Sequence, residues 1–183
     1  MVERPLRPST RQAVLDAAID TLARNPGASL SEIATRAGVG RASLHRHFPS
    51  RADLIAAASQ QCMDEIDAAT AEALKDAQTA RERLSRMLEA VVPLGDRYHF
   101  LVSEAADDES VRMRYQEDLD WIARLVDDLK REGVIAAEVP HNWAVVNIDA
   151  QIWIAWSEVA AGNLAPAHAA DLAIRTLLEG LGS

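Results

Sequence analysis

The chain predicts an all-α protein of about nine helices, with a three-helix bundle at its N-terminal end and a larger helical body behind it. Three observations carry this. Glycine and proline are sparse, 8 and 7 in 183 residues, while alanine and leucine abound, which favours helix. Apolar residues recur three and four apart through most of the chain, and no alternating run is long enough to propose a sheet. Helix-start signatures stand at Ser9–Gln12, Ser29–Glu32 and Ser50–Asp53. With 49% apolar residues the chain can bury a full core.

Residues 1–8, MVERPLRP, read as an extended arm. Two readings stand for it: contact with DNA phosphates or the minor groove, or a frayed, solvated tail. Ser9 then starts a helix running to about Arg24, with Val14, Leu15, Ala18, Ile19 and Leu22 on its apolar face. Asn25-Pro26-Gly27 stops it, because proline cannot continue the hydrogen-bond ladder. The next helix starts near Leu30, with Leu30, Ile33, Ala34 and Ala37 inward, and Gly38 ends it in the left-handed conformation of a C-terminal cap. Val39 packs under the turn. A third helix covers Arg41 to His47, and its large apolar residues, Leu44 and Phe48, share one face. Ala42, Ser43, His45 and Arg46 occupy the opposite face, with Arg41 at the start. Helix, glycine turn, donor-faced helix is the helix-turn-helix pattern, whose second helix enters the DNA major groove.

The net charge of −9 looks wrong for a DNA binder until it is divided along the chain. Residues 1–55 hold 8 Lys+Arg against 5 Asp+Glu, a balance of +3; residues 56–183 hold 11 against 23, a balance of −12. A basic head on an acidic body favours one orientation toward phosphate.

From Ile33 to Leu54 the run I-A-x-x-A-G-V-G-R-A-S-L-H-R-H-F-P-S-R-A-D-L resembles the DNA-binding signature of TetR-family transcriptional repressors. That signature usually reads I-A-x-x-A-G-V-S-x-G-T-L-Y-x-H/Y-F-x-S-K-x-x-L. Ile33, Ala34, Ala37, Gly38, Val39, Leu44, His47, Phe48, Ser50 and Leu54 match it, with Ser43 for Thr and Arg51 for Lys. Gly40 replaces the usual Ser, Ala42 the usual Gly and His45 the usual Tyr, so a phosphate contact there would come from an imidazole. The resemblance implies an N-terminal DNA-binding domain, residues 1–50, and an effector-binding and dimerisation domain, residues 51–183. It also implies a homodimer on a near-palindromic operator, released by a small-molecule effector.

In the body, Arg51 to about Asp76 forms one unbroken helix of about 25 residues, nearly 40 Å long at 1.5 Å per residue. Thr79 to about Leu94 follows, with Leu84, Met87, Leu88 and Val91 inward, then a short helical segment from Arg97 to Ala106. Asp107-Asp108-Glu109 suits the positive end of the next helix, about Ser110 to Arg131, whose stripe is Tyr115, Leu119, Ile122, Val126 and Leu129. Gly133 ends it. From His141 to Ala161, Val145, Ile148, Ile152, Trp156 and Val159 make one apolar stripe, and Trp143, Ala150, Ile154, Ser157 and Ala161 a second on the other side. From Pro166 to Leu181, the apolar residues Ile174, Leu177, Leu178 and Leu181 oppose a small-residue row of Ala169, Ala173, Thr176 and Gly180. Such faces fit either a larger internal core or a two-fold, four-helix interface between copies. The resemblance implies the second, with Ala150, Ile154, Ser157 and Ala161 from one helix and Ala169, Ala173, Thr176 and Leu177 from the other.

For DNA, Arg41 is the first candidate for a base contact, since its guanidinium can fork onto guanine; a phosphate contact is the alternative. Ser43 and Arg46 point to the groove, and His45 and His47 flank them near the backbone. Gly40 and Ala42 are small enough for close approach. Ser29, where its cap allows, and Arg51 would meet phosphate from helix starts. His45 and His47, two apart on a helix, diverge and make no metal pair, and no metal or other cofactor is expected. Met87, Phe100, Trp121 and Trp153 are candidates for an effector pocket, or simple core. Glu104 and Asp149 would suit a cationic ligand if buried.

No G-x-S-x-G, phosphate loop or H-E-x-x-H is present, so an enzyme is not expected. A helical protein-binding adaptor is the competing class, though it needs no basic head. Cys62 lacks a partner for a disulfide within the chain, and reads as a core thiol. No signal-peptide core or long apolar run occurs, and the expected location is cytoplasmic.

Overall fold

The computed structural model describes residues 9–180; the N-terminal arm and Leu181 lie outside the described residues. Within that range the fold is all-helical, with nine α-helices and a short 3-10 turn at Val92–Leu94. The α-helices are α1 (Thr10–Leu22), α2 (Leu30–Arg36), α3 (Arg41–His47), α4 (Arg51–Leu74), α5 (Ala80–Val91), α6 (Gly95–Glu104), α7 (Glu109–Arg131), α8 (His141–Ala160) and α9 (Pro166–Gly180). None of the described helices is long and apolar enough to cross a membrane. The chain forms two compact units. One takes residues up to 64 together with 96–106; the other takes 65–95 and residues from 107 onward.

The first unit is built from α1, α2, α3, the first half of α4 and most of α6. Val14, Leu15, Ala18, Ile19 and Leu22 of α1 are buried, as are Ile33 and Ala34 of α2 and Leu44 of α3. Phe48, Leu54, Ala58, Cys62, Phe100 and Leu101 complete this core. Ser9 caps α1 by accepting from the Gln12 N–H at 3.1 Å, but the Gln12 amide turns away and donates to Asp16 at 2.8 Å. Only half of that predicted box therefore forms. The other two starts are reciprocal: Ser29 with Glu32, and Ser50 with Asp53.

The second unit packs α5, α7, α8 and α9, with the end of α4. The buried faces are Leu84, Met87, Leu88 and Val91 of α5, Ile122, Leu125, Val126 and Leu129 of α7, and Val145, Ile148, Ile152 and Trp156 of α8. The indole N–H of Trp156 donates to the Val91 carbonyl at 3.0 Å, joining α8 to the end of α5 inside the core. Arg83 donates to Asp128 at 2.7 Å, and the Glu132 carboxylate accepts from the Ala80 N–H, so α5 and α7 are also tied at that end.

Two expectations are corrected. Tyr115, predicted inside the α7 stripe, is exposed, because the stripe turns inward only from Ile122 on. The acidic cluster does stand at the start of α7, where Asp108 is the N-cap, accepting from the Ser110 N–H at 2.8 Å, and Glu109 lies in the first turn. On α9, Ala169, Ala173 and Leu177, assigned from sequence to a dimer face, are buried within their own unit. Ala169, Ala170 and Ala173 cluster with Val92 and Ala155. Small side chains bring α9 close to its own neighbours, so Ala169 and Ala173 of the small-residue row point inward, while Thr176 and Gly180 of the same row are exposed.

Candidate nucleic-acid interface

Helix α2 begins at a full capping box. Ser29 Oγ accepts from the Glu32 N–H at 3.2 Å, and Glu32 Oε2 accepts from the Ser29 N–H at 2.7 Å. Hydrogen bonding to its carboxylate from the Ser29 backbone N–H, and secondarily from the Ser29 hydroxyl, holds the Glu32 carboxyl below its ordinary value. At the far end Gly38 has φ of 68°, which an L side chain adopts only with strain, and the Val39 N–H closes onto the Ala34 carbonyl at 3.0 Å. Three residues after this glycine, α3 begins.

Leu44 and Phe48 anchor α3: both are buried, and the Arg11 guanidinium lies 5.4 Å from the centre of the Phe48 ring. The anchor fixes which side of the helix turns out. Arg41, Ala42, His45, Arg46 and His47 are exposed, Ser43 is half-buried, and Gly40 at the N-cap is exposed. Arg46 lies one turn from Ser43 and donates to its hydroxyl at 3.3 Å. Helix α3 thus presents guanidinium, imidazole and hydroxyl donors together, with nothing larger than alanine between them near its start. That surface can offer hydrogen bonds to base edges and phosphates at once.

Arg51 is placed differently from what its helix-start position suggested. Its guanidinium donates to the Ala28 carbonyl at 2.6 Å, to the Pro26 carbonyl at 2.7 Å and to the Glu104 carboxylate at 3.0 Å. Glu104, considered for a cationic ligand, is therefore paired with Arg51 inside the first unit. Nothing in the sequence marked this pair, which lies 53 positions apart.

The candidate effector residues fall into both units. Phe100 is buried in the first, whereas Met87 (buried) and the half-buried Trp121 and Trp153 belong to the second. In the second unit Trp153 packs edge-on against Trp156, centroids 5.0 Å apart. Beside it the Tyr115 hydroxyl donates to Asp149 at 2.9 Å. Burial raises the Asp149 carboxyl above its ordinary value, opposed by hydrogen bonds from Tyr115 and Trp153. Asp118, which the sequence reading passed over, is pushed up to about 6 by burial; Arg114 opposes the shift, and Asp67, Glu117 and Asp149 add to it. Tyr115 is exposed overall, but partial desolvation of its phenol, with the Asp149 carboxylate beside it, pushes that phenol up to about 12. The i, i+3 spacing of Tyr115 and Asp118, on one face of α7, was the sequence signal for this group.

Of the predicted interface residues on α8, Ile154, Ser157 and Ala161 are exposed and Ala150 is half-buried; Thr176 of α9 is exposed. Trp143 and Val146 extend the α8 row, so that Trp143, Val146 and Ile154 are 61%, 52% and 53% exposed.

Residues 14–58 match the family described as bacterial regulatory proteins, tetR family. The chain is 34% identical over 143 residues to the HTH-type transcriptional repressor LfrR of Mycolicibacterium smegmatis, spanning 78% of this chain and 75% of that one. The crystal structure of the TetR-like regulator LfrR from Mycobacterium smegmatis in complex with proflavine superposes with a TM-score of 0.74 at 26% identity, over 95% of this chain and 97% of the other. The ketosteroid transcriptional regulator KstR2 of Mycobacterium tuberculosis shares the fold, with a TM-score of 0.82 at 17% identity over 97% of each chain.

Proposed function

The chain belongs to the TetR family of bacterial transcriptional regulators, and from that premise we propose that it is a homodimeric repressor released from its operator by a small-molecule effector. The observation that carries the DNA side is the outward row of Arg41, Ser43, His45, Arg46 and His47 on α3, held by the buried Leu44 and Phe48. In this reading Arg41, Ser43 and Arg46 meet base edges. His45, His47, Ser29 and Arg51 meet phosphate, and Gly40 and Ala42 permit close approach. Residues 1–50 form the DNA-binding domain and residues 51–183 the effector and dimer domain.

The exposed row of α8 supports pairing of two copies. Two α3 helices then read successive major grooves of a near-palindrome. The effector is a cationic, flat or aromatic molecule. Asp118 and Asp149 beside Tyr115 and Trp153 support that class, since half-buried carboxylates and aromatic faces both favour a cation. So does the proflavine bound by LfrR. Helix α4, continuous from Arg51 to Leu74, follows directly on the DNA-binding domain and is shared by the two compact units, and in this reading it is the element through which occupancy reaches the head.

The test is selection of bound duplexes from a random pool, followed by footprinting with the Arg41→Ala/Arg46→Ala variant and a release screen of organic cations. A near-palindromic site, lost in the double variant while its oligomeric state is kept, is the expected result. An unchanged footprint would sink the assignment of α3.

A further inference from the structure

We infer that Glu104 is a positioning residue for DNA recognition, acting through Arg51 on the connection that leads into the helix-turn-helix. The inference rests on the DNA-reading function proposed above. Glu104 is the last residue of α6, and its side chain is 7% exposed. The group that faces its carboxylate is Arg51, at 3.0 Å, at the start of α4. The same guanidinium donates to the carbonyls of Pro26 and Ala28, either side of Gly27 in the α1–α2 connection. Ala28 is buried, and the next residue, Ser29, caps α2. One guanidinium therefore ties the end of α6, the start of α4 and the two residues that deliver the chain into the first helix of the reading head.

The chemistry makes Glu104 the controlling partner. All three bonds are charge-assisted through the guanidinium, but only the carboxylate brings an opposite charge of its own, which makes Glu104 the strongest of the three acceptors. Arginine has five N–H donors, and three are used here, so the bracket leaves two for a phosphate. With Glu104 in place the fork is held flat against the connection. Without it the long side chain regains rotamers, the Pro26–Ala28 turn loosens, and the α2–α3 pair loses its fixed bearing on α4. Recognition of a particular sequence, which needs side chains set to within fractions of an ångström, suffers more than general phosphate attraction.

The test measures binding of the selected operator and of an unrelated duplex of equal length by full-length wild type, E104A, E104Q, R51A and E104A/R51A, with thermal unfolding of each alongside. E104A is expected to weaken operator binding about tenfold, about 1.4 kcal/mol, with the unrelated duplex nearly unaffected. E104Q should lose less, because its amide oxygen still accepts a hydrogen bond. E104A/R51A should bind no more weakly than R51A, since a residue acting through another adds nothing once that other is gone. If E104A does not fold, E104Q and E104Q/R51A carry the same comparison. Wild-type operator affinity in the Glu104 variants, tighter binding by them, or additive losses in the double variant would each overturn the inference. Tighter binding would make Glu104 a competitor of phosphate for Arg51. Failure of the wild type to select any DNA would instead overturn the functional reading beneath it.

Discussion

The Tyr115 hydroxyl on α7 donates to the Asp149 carboxylate on α8 at 2.9 Å, and Asp118, one turn further along α7, completes a group of acids in one unit. Arg114 answers part of that charge: it pairs with Asp67, with Glu117 at 3.5 Å and with Asp118 at 3.3 Å. One guanidinium facing this many carboxylates leaves the group short of positive charge, which is the condition under which a burial-shifted carboxyl keeps its proton.

This makes the stability of the fold depend on Asp118 in a stated direction. Its carboxyl ordinarily titrates at 3.8 and in the folded chain at about 6, so between those values the folded state binds more protons. The contribution of Asp118 is therefore fully present below about pH 4 and is lost as pH rises through about 6. Asp118→Asn should remove this dependence: measured by urea unfolding, its advantage over wild type should grow between pH 4 and pH 6 and stay level above. The side chain is 34% exposed, so screening by water keeps the gain on the order of 1 kcal/mol or less. A difference that stays flat across the window would refute the shift.

Gly95→Ala should destabilise the protein. A methyl group at Gly95 would come within 2.8 Å of Trp156 Cδ1 and 3.1 Å of its Cγ. The indole cannot swing away without breaking its 3.0 Å bond to the Val91 carbonyl. Alanine improves a helix position by roughly 0.5–1 kcal/mol over glycine, but overpacking costs about 1–3 kcal/mol, so the clash wins. Chemical unfolding monitored by tryptophan fluorescence reads the change directly; a variant as stable as wild type would show that Trp156 yields.

The reading head was accessible from sequence because its signals are local. Ser29 and Glu32 are three residues apart, Gly38 has its own backbone signature, and Leu44 and Phe48 fix the buried side of α3 by spacing alone. The Arg51–Glu104 bracket and the Trp156–Val91 bond join residues 53 and 65 positions apart, and no spacing rule reaches that far. The small-residue row on α9 misled only at its alanines. Ala169 and Ala173 do pack closely, but against the chain itself, through Val92 and Ala155, whereas Thr176 of the same row stays exposed. Exposure of Trp143 and Ile154, by contrast, follows from having two apolar stripes on one helix and a single interior to receive them.

Ser29→Ala should lower the stability of α2 by about 1 kcal/mol, the usual cost of losing a capping side chain, and Ser29→Gly by only a few tenths. Ser29 Oγ accepts the Glu32 N–H at 3.2 Å, a donor that the helix itself cannot satisfy. Hydrogen exchange is the suitable measurement: amides of α2 should lose protection in the alanine variant while those of α8 keep theirs. Equal loss in both would mean that the cap stabilises the whole chain rather than this helix.

Ile154→Lys should convert a dimer to a monomer. Trp143, Val146 and Ile154 are each more than half exposed on one face of a 20-residue helix, a contiguous apolar row with Ala150 between them. Rows of this kind are uncommon on a chain that remains alone. A lysine at the centre of a two-fold contact would meet its own copy or a neighbouring apolar side chain, and either leaves an ammonium without a partner, at a cost of several kcal/mol. Because Ile154 faces out of its own unit, the fold of one chain should change by no more than about 0.5 kcal/mol. Light scattering after size exclusion gives the mass, and thermal unfolding at matched low concentration separates lost association from lost folding. Retention of a dimer by the variant would rule out the α8 row as the interface and send the search to the exposed side of α9 around Thr176.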